Sequence, residues 1–584
     1  MSREPARSRD SAGSWLRLAL WAGLATGLAE VSIHALRWHL RHRFPFLSHD
    51  VVWMAPLAEV ILFALVGMAL AGIQALRRKP VFGVAVRAYL FLGTLAVLLC
   101  YPRLHWLTDV VLALAVAYQG GRLVLRHQDR VMRLMRISTP VLAGIAVALG
   151  TGWHGRQWWR ETRAEQALPP GHGPNIVFII LDTVRGLDFD GGESLDTHFP
   201  ALARRAAGGI RYERAMAPSS WTLPSHASLF TGRWPHEHGA NWTTPLGPDY
   251  PTLSGVLTAC GYATAGFVAN KVYTNRKTGL ARGFMHYEDY LLDPGELIRS
   301  AAILRILGDR ITPRLLVKWY QRLGRKSAET VNAEALRWLD RRPAGHPFMV
   351  FLNYFDAHSP YLPPPPFDEA IRQLPGNEGR DPKLRFTALP DHGVPPARVL
   401  QEMKAAYAGM LAYLDDRVNA LLDSLDQRGL LDSTIVVLTS DHGEEFGEHG
   451  EMGHGRSLYR TTVQVPLVIW LPGKARAGTR VERPVTLRDL PATLVDLAGL
   501  QAHSPFPGSA LPGLDGERPG MADSIRAELV WTAGVNPLYR SAHGDVVAVI
   551  RDSLRIIRYG DGGVERFRLD DPLEQHPVPR TEAP

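Results

Sequence analysis

Cysteine is nearly absent from this chain of 584 residues; the two present are Cys100 and Cys260. Cys100 lies in an apolar stretch and Cys260 is the only one in the polar remainder, so no disulfide can form within that remainder and a disulfide-stapled fold is excluded. Long apolar runs are missing beyond about Trp153, where Gly, Pro, Asp and Arg give the composition of a soluble globular domain. The residues before it are dominated by Leu, Ala, Val and Trp. A continuous basic patch is missing too. The net charge is +8, but many basic residues sit in short loops beside apolar segments, which fits membrane topology and argues against a nucleic-acid partner.

What the first part does hold is five apolar segments, near 15–36, 51–76, 81–101, 104–121 and 137–153. Each has roughly the 17–25 residues needed to cross a hydrocarbon core of about 30 Å. The first carries Glu30, lacks a small-residue cleavage site and is followed by further spans, so it does not read as a signal peptide. Arg3, Arg7 and Arg9, then Arg77, Arg78 and Lys79, then Arg122, Arg126, Arg130, Arg133 and Arg136 fall on one side, the cytoplasm. They outvote Arg37, Arg41 and Arg43 on the other. An odd number of spans then places the large domain outside, with Trp153, Trp158 and Trp159 at an outer aromatic belt. The expectation is a multi-pass protein of the cell (inner) membrane with an extracytoplasmic domain, periplasmic or extracellular. Glu30, Glu59 and Asp109 lie within or near apolar spans, where a charge is often functional; the reading preferred is pairing between helices, with Arg87 as a candidate partner, or proximity to an interface.

The boundaries expected are a five-helix transmembrane domain over 1–153, a linker over 154–173 and a catalytic domain over 174–584, with a small C-terminal sheet in about 530–584. The unbroken β-branched run Asn175 to Asp182 has the pattern of a strand buried on both faces of a parallel sheet. Pro347–Tyr354, Thr434–Asp441 and Val465–Trp470 repeat it, with helical patterns at 199–207, 252–259, 328–339 and 399–425 between them. The fold expected is therefore α/β, a mostly parallel central sheet sandwiched by helices. Ligands gather beyond the carboxyl ends of such strands, where Asp182, Asp356, His358, Asp441 and His442 fall. Taken singly, each is as well read as a turn former or helix cap. Their recurrence at one sheet edge points to a site.

Two carboxylates, Asp182 and Asp441, and the imidazole of His442 make a plausible divalent-metal site; manganese, zinc, magnesium and calcium all remain open. A hydroxyl beside such an ion becomes a nucleophile near neutral pH, and Thr222 opens a turn-then-helix pattern in the stretch Ala217 to Gly232. His226, His358, His454 and Lys271 are candidates to hold ester oxygens or to protonate the leaving group.

The order of these segments resembles the sulfatase branch of the alkaline-phosphatase superfamily over nearly all of 174–584. The segment Thr222-Leu-Pro-Ser-His-Ala-Ser-Leu-Phe-Thr-Gly232 followed by Pro235-His-Glu-His-Gly239 resembles that family's nucleophile signature. Ser440-Asp-His-Gly-Glu444 resembles its metal-binding return strand, Asp356-Ala-His-Ser-Pro-Tyr361 its substrate-side histidine loop, and Leu569-Asp-Asp-Pro-Leu-Glu574 its closing segment. The family places Cys or Ser, oxidised to formylglycine, where this chain has Thr222, and threonine cannot become formylglycine. Thr183 stands where a second aspartate is usual, His226 where Arg is usual, and His442 where asparagine is common. The set Asp182, Thr222, Asp441 and His442 is similar to the metal site of the superfamily's phosphoethanolamine and phosphoglycerol transferases, which also carry five spans before an extracytoplasmic domain.

The resemblance implies a membrane-anchored hydrolase or transferase acting on phosphate or sulfate esters through a covalent threonine intermediate, with one divalent metal, no formylglycine, and a membrane lipid or cell-envelope glycan as substrate. Sulfate-ester hydrolysis without formylglycine is the alternative within the enzyme class. Thr183 and the pair Gly455-Arg456, where many relatives carry a further histidine, keep a third possibility in view: a catalytically inactive membrane scaffold. Metal content separates it from the enzyme. Lys271 is read equally well as solvated surface. The basic stretch Leu297 to Lys326 is expected to be an insertion, either a helix on anionic headgroups or a helix packed on the soluble domain with its basic face in water, the latter preferred.

Overall fold

The computed structural model describes residues 12–41, 47–77, 82–101, 104–189, 197–315, 326–377, 393–514, 525–532, 535–551 and 553–579. The chain forms two compact units: one of residues 1–160 and 291–325, the other of 161–290 and 326–584.

The first unit is helical. Its helices α1 (Ala12–Arg41), α2 (Val51–Arg77), α3 (Phe82–Leu99), α4 (Trp106–Arg126) and α5 (Gln128–Gln166) are each long and apolar enough to cross a membrane. Helices α1 and α2 meet backbone to backbone. A Cβ on Gly23 or Gly27 would lie 2.6 Å from Val60 Cα or 2.4 Å from Pro56 Cα, the close approach that small residues permit between apolar helices. Glu30 and Glu59 are fully buried, and both carboxylate oxygens of Glu30 accept the backbone N–H of Ala302 at 3.3 Å. The stretch expected to pack on the soluble domain therefore belongs elsewhere. Its two short helices, Pro294–Ser300 and Ala302–Leu315, pack against α2 and α3. Asp109 is buried, whereas the guanidinium of Arg87 donates to the Gly83 carbonyl of its own helix.

The last long helix overruns its expected end near residue 153 and continues to Gln166. Residues 156–166 are polar but built of Arg, Gln, Trp, Glu, Thr and Ala, and the first proline comes at 169; polarity alone does not stop a helix whose residues favour one.

The second unit is an α/β domain around an eight-stranded sheet. In chain order its strands are β1 (Asn175–Leu181), β2 (Ile210–Tyr212), β3 (Ala263–Val268), β4 (His286–Glu288), β5 (Phe348–Tyr354), β6 (Thr434–Thr439), β7 (Leu467–Trp470) and β8 (Arg480–Val481). Their spatial order is β8-β2-β7-β6-β1-β5-β3-β4. β7 runs antiparallel to both neighbours and every other pairing is parallel. β1 sits at the centre, Phe178 opposite Phe351 of β5 and Val437 of β6.

Alternate residues of β1 feed two cores. Val177, Ile179 and Leu181 pack with the helices Ala328–Leu339 and Ala397–Gln427 on one face. Phe178, facing the other way, lies 6.2 Å between ring centroids from Phe230 in the helix Thr222–Thr231. Helices on both faces explain why the run shows no polar alternation. The central strand order leaves the carboxyl ends of β1, β3, β5 and β6 side by side. At the C-terminus, strands at 526–529, 546–551, 554–558 and 564–568 form a separate antiparallel sheet, in line with the β-rich tail of the sequence.

Candidate active site

Asp182 follows β1, Asn270 follows β3, and Asp441 and His442 follow β6, so neighbouring strands deliver them to one edge. From the opposite face comes the helix Thr222–Thr231, whose first residue is Thr222 and which closes at Gly232 in the left-handed conformation, φ 65°. Glycine is the residue that adopts this cap without a Cβ penalty. The threonine hydroxyl thus stands at the positive end of a helix dipole, where a developing negative charge is favoured. Ser225, one turn on, donates to the Asp441 carbonyl at 2.6 Å and ties this helix to the end of β6.

Ligand-type atoms of Asp182, Asp441 and His442 lie within 4.8 Å of one another, all fully buried. Each carboxylate has one oxygen bonded and one aimed inward. Asp182 Oδ2 accepts Asn270 Nδ2 at 2.8 Å and Asp441 Oδ1 accepts the His442 N–H at 3.0 Å. Asp182 Oδ1 and Asp441 Oδ2 have no hydrogen-bond partner among the described residues. His442 faces these same two atoms, its Nε2 lying 3.9 Å from Asp182 Oδ1 and 3.5 Å from Asp441 Oδ2. Its Nδ1 is 3.0 Å from the Gly443 carbonyl, which can only accept, so Nδ1 carries the proton and Nε2 offers a lone pair. Thr222 Oγ1 completes the group at 3.2 Å from that Nε2.

Burial and then the neighbouring Asp441 charge push the Asp182 carboxyl well above its ordinary range. Burial raises Asp441 to about 8, against the opposing N–H groups of His442 and Thr183. Two orphaned carboxylate oxygens in a dry pocket with an imidazole lone pair and a hydroxyl form the donor set of a small divalent cation, which would remove the penalty of ionising both acids. The residues present fit such an ion.

Of the other predicted residues, His226 is fully buried and its Nδ1 donates to the Thr222 carbonyl at 2.9 Å, 3.4 Å from Asp441 Oδ2. Burial drives its pKa down to about 3, so it is a neutral ring that holds the start of the helix. The His454 ring lies 4.3 Å from that of His442, tilted by 33°, and is oriented by Glu444 Oε1, 2.8 Å from its Nδ1, while the Tyr361 hydroxyl donates to the other oxygen of Glu444 at 2.8 Å. His358 lies 5.0 Å from His454, ring to ring. Lys271 places its ammonium 5.6 Å from the Tyr290 ring centre; its neighbour Asn270 is the residue that reaches Asp182 and, at 3.5 Å, Thr222 Oγ1. Asp356 accepts the Ala328 N–H at 3.2 Å and serves as a cap for the helix 328–339.

Asn270 and Glu444 escaped the reading of candidate residues. A lone asparagine after a strand that is half Ala and Gly carries no signal, whereas Glu444, two residues beyond His442, had positional grounds for inclusion. Thr183 adopts φ 64°, unusual for a β-branched residue, and its carbonyl accepts the Tyr407 hydroxyl at 2.9 Å.

Among curated proteins, the arylsulfatase of Clostridium perfringens is 26% identical over 389 residues, covering 59% of this chain and 79% of its own. The N-acetylglucosamine-6-O-sulfatase of Bacteroides thetaiotaomicron is 25% identical over 432 residues, 61% of this chain and 73% of its own. The solved phosphonate monoester hydrolases of Agrobacterium radiobacter and Silicibacter pomeroyi share the fold. Their TM-scores are 0.54 and 0.52 at 22% and 21% identity, over 69% and 68% of this chain and 91% and 89% of theirs. The sulfatase family model matches residues 174–500, more than half of the chain, and the chain belongs to the sulfatase family.

Proposed function

We propose that this protein is a membrane-anchored, metal-dependent ester hydrolase or transferase that passes a phosphoryl group through Thr222. One observation carries the reading: Thr222 Oγ1, at a helix N-terminus, stands 3.2 Å from His442 Nε2, beside two carboxylate oxygens with no other partner among the described residues. Family membership supports ester-bond chemistry, and the five apolar helices support the anchor. The large domain is assigned to the extracytoplasmic side on the arginine distribution of the short loops.

Asp182, Asp441, His442 and the oxygen of Thr222 would hold the cation, which when bound lowers the pKa of the hydroxyl and screens the charge of the ester oxygens. Thr222 Oγ1 forms a bond to phosphorus as the bond from phosphorus to the alcohol oxygen breaks. The proton lost by the threonine is balanced by the one gained by the departing alcohol, for which His358 is the candidate donor; His454, with its proton on the nitrogen facing Glu444 and its pKa pushed well below the ordinary value by burial, is neutral and can only accept there. Glu444 fixes which nitrogen of His454 carries its proton. Water or a second alcohol then attacks the threonine ester, restoring the hydroxyl and releasing phosphate or a new ester.

The sulfatase names of the sequence relatives favour a second reading, sulfate-ester hydrolysis on the same residues without formylglycine. Rates on matched aryl phosphates and aryl sulfates separate the two. The test of the covalent step is intact-mass and peptide analysis of the protein after incubation with membrane extract. A phosphoryl-type adduct on Thr222, absent from Thr222→Ala, is expected; full metal-dependent turnover by Thr222→Ala overturns the reading.

A further inference from the structure

Inside the helical unit two acids meet that no step at Thr222 uses. Thr26, Glu30 and His34 fall four residues apart on α1, which sets them in one stripe of the helix, and all three are buried. Glu59 of α2 is buried as well, and its carboxyl is within hydrogen-bonding reach of that of Glu30. Glycine brings the two spans together at this level: a Cβ on Gly23 would lie 2.9 Å from the backbone carbonyl carbon of Glu59.

The two acids are not equally provided for. Glu30 accepts the Ala302 N–H with both oxygens at the N-terminus of the helix Ala302–Leu315, and Arg305, one turn on, adds a positive charge. Neither oxygen of Glu59 has a hydrogen-bond partner among the described residues. The other titratable groups around the pair do not bond to it. His34 Nε2 lies 3.7 Å from Cys100 Sγ, Arg37 donates to the Cys100 carbonyl, and Arg87, the one charge on α3, donates within its own helix. Glu296 and Arg299, the charged groups of the helix Pro294–Ser300 against α2, are not bonded to Glu59 either.

An ionised carboxylate only accepts, so two of them form no bond with one another, whereas an acid that carries a proton donates to its neighbour. Like charges this close in apolar surroundings do not both ionise. Closure decides what the pair can take up. Both acids are 0% exposed, which shuts out a lipid headgroup or a hydrated ion; a proton needs no open surface.

We propose that Glu30 and Glu59 hold one proton between them at neutral pH, and that this proton keeps the helix Ala302–Leu315 docked on the apolar helices. Its loss sets two carboxylates face to face, and the repulsion is relieved by drawing Glu30 away from Ala302. The helical unit is then a proton-responsive element as well as an anchor, independently of the chemistry at Thr222.

The test uses the full chain in detergent micelles. In infrared spectra at about pH 7, wild type minus the double variant Glu30→Gln/Glu59→Gln should show the C=O stretch of a protonated carboxylic acid. The acids of the cation cluster are common to both proteins and cancel. If the double variant does not fold, Glu59→Gln alone carries the measurement, since its amide N–H donates to Glu30 in place of the proton. A difference spectrum with carboxylate bands only overturns the proposal. Hydrogen–deuterium exchange of the peptide from Ala302 to Leu307 reads the docking. Between about pH 7 and about pH 10, after correction for the intrinsic rate, wild type should lose about 10-fold or more of its protection, the scale of a hydrogen bond to a charged group. Glu59→Gln, with no proton to lose, should keep its protection. Equal loss in both proteins, or none in wild type, overturns the coupling of the proton to the helix.

Discussion

The lone pair of His442 Nε2 and the hydroxyl oxygen of Thr222 are 3.2 Å apart, and the ring is held in that tautomer by its own neighbour, the Gly443 carbonyl, 3.0 Å from Nδ1. A hydroxyl on a helix from one face of the sheet and an imidazole on a strand end are thereby joined across 220 residues of sequence. Thr222→Ala should lower kcat by at least about 10³-fold, the scale on which loss of a covalent nucleophile is felt. Thr222→Ser, which keeps the oxygen, should retain measurable turnover. Single-turnover kinetics on purified protein check both.

Asn270 controls how Asp182 presents itself. Its amide occupies Asp182 Oδ2 at 2.8 Å, so the other oxygen is left for the cluster. Asn270→Ala should weaken binding of a divalent ion by about 10- to 100-fold, the usual effect of losing a partner that orients a ligand. Titration of metal-stripped protein with manganese or zinc, followed by calorimetry, measures this directly. Chelation should abolish activity in wild type and variant alike, with recovery in the variant needing the higher metal concentration.

The pattern of legible and hidden features follows from what each residue type signals alone. The run from Ile176 to Leu181 reads as a doubly covered strand because it is apolar without alternation, and β5, β6 and β7 are readable from the unbroken apolar residues at their centres. β3, Ala-Thr-Ala-Gly-Phe-Val, was not: its alanines and glycine lack strand preference, and it is a strand because β4 and β5 flank it. Asn270, at its end, was lost with it. The stretch after Tyr290 looked like an appendage of the soluble domain because sequence position suggests so, yet Glu30 bonds to the Ala302 backbone, a pairing 272 residues apart. Local pattern cannot carry such a contact. Thr222 was legible because helix start, hydroxyl and strand-end carboxylates form a known spacing.

His286 offers a pH test outside the catalytic cluster. Burial works against its charge, but Glu161 Oε2 lies 3.1 Å from Nδ1 and Glu288 Oε1 lies 3.0 Å from Nε2, and together they raise its pKa from 6.5 to about 9. A group whose folded-state pKa is raised adds stability that is complete below its unfolded value and fades as pH climbs through the folded one. The contribution should be whole below about pH 6.5 and gone above about pH 9, and by linkage it is roughly 2–4 kcal/mol. His286→Ala should lower Tm at pH 6, with the gap from wild type closing by pH 10. Differential scanning calorimetry across that range checks it, and a gap that stayed constant would show that packing, not charge, is what His286 supplies.

The pair Gly455-Arg456 is where the sulfatase resemblance anticipates a further histidine, and at Gly455 the fold has no room for a side chain. Its φ of +73° disfavours any L side chain, and a Cβ would stand 2.0 Å from Trp221 Cε3, far inside contact distance. The collision is with a ring wedged among Trp242, Tyr273 and His454, at 5.5, 5.3 and 5.2 Å between centroids, so the ring cannot simply swing aside. Gly455→Ala should therefore cost about 1–3 kcal/mol from overpacking, with a further penalty from the backbone. Because Trp221 precedes Thr222 in the chain, the displacement should also move the Thr222 hydroxyl. Loss of kcat should exceed what the lowered Tm accounts for when assays are run well below the melting transition. A substitution on the far side of the same loop, Arg456→Ala, removes an exchange of bonds with the Met452 carbonyl and the Tyr539 hydroxyl without entering the space of Trp221. It should lower Tm and leave kcat near wild type, so the pair of variants separates loop stability from the placement of Thr222.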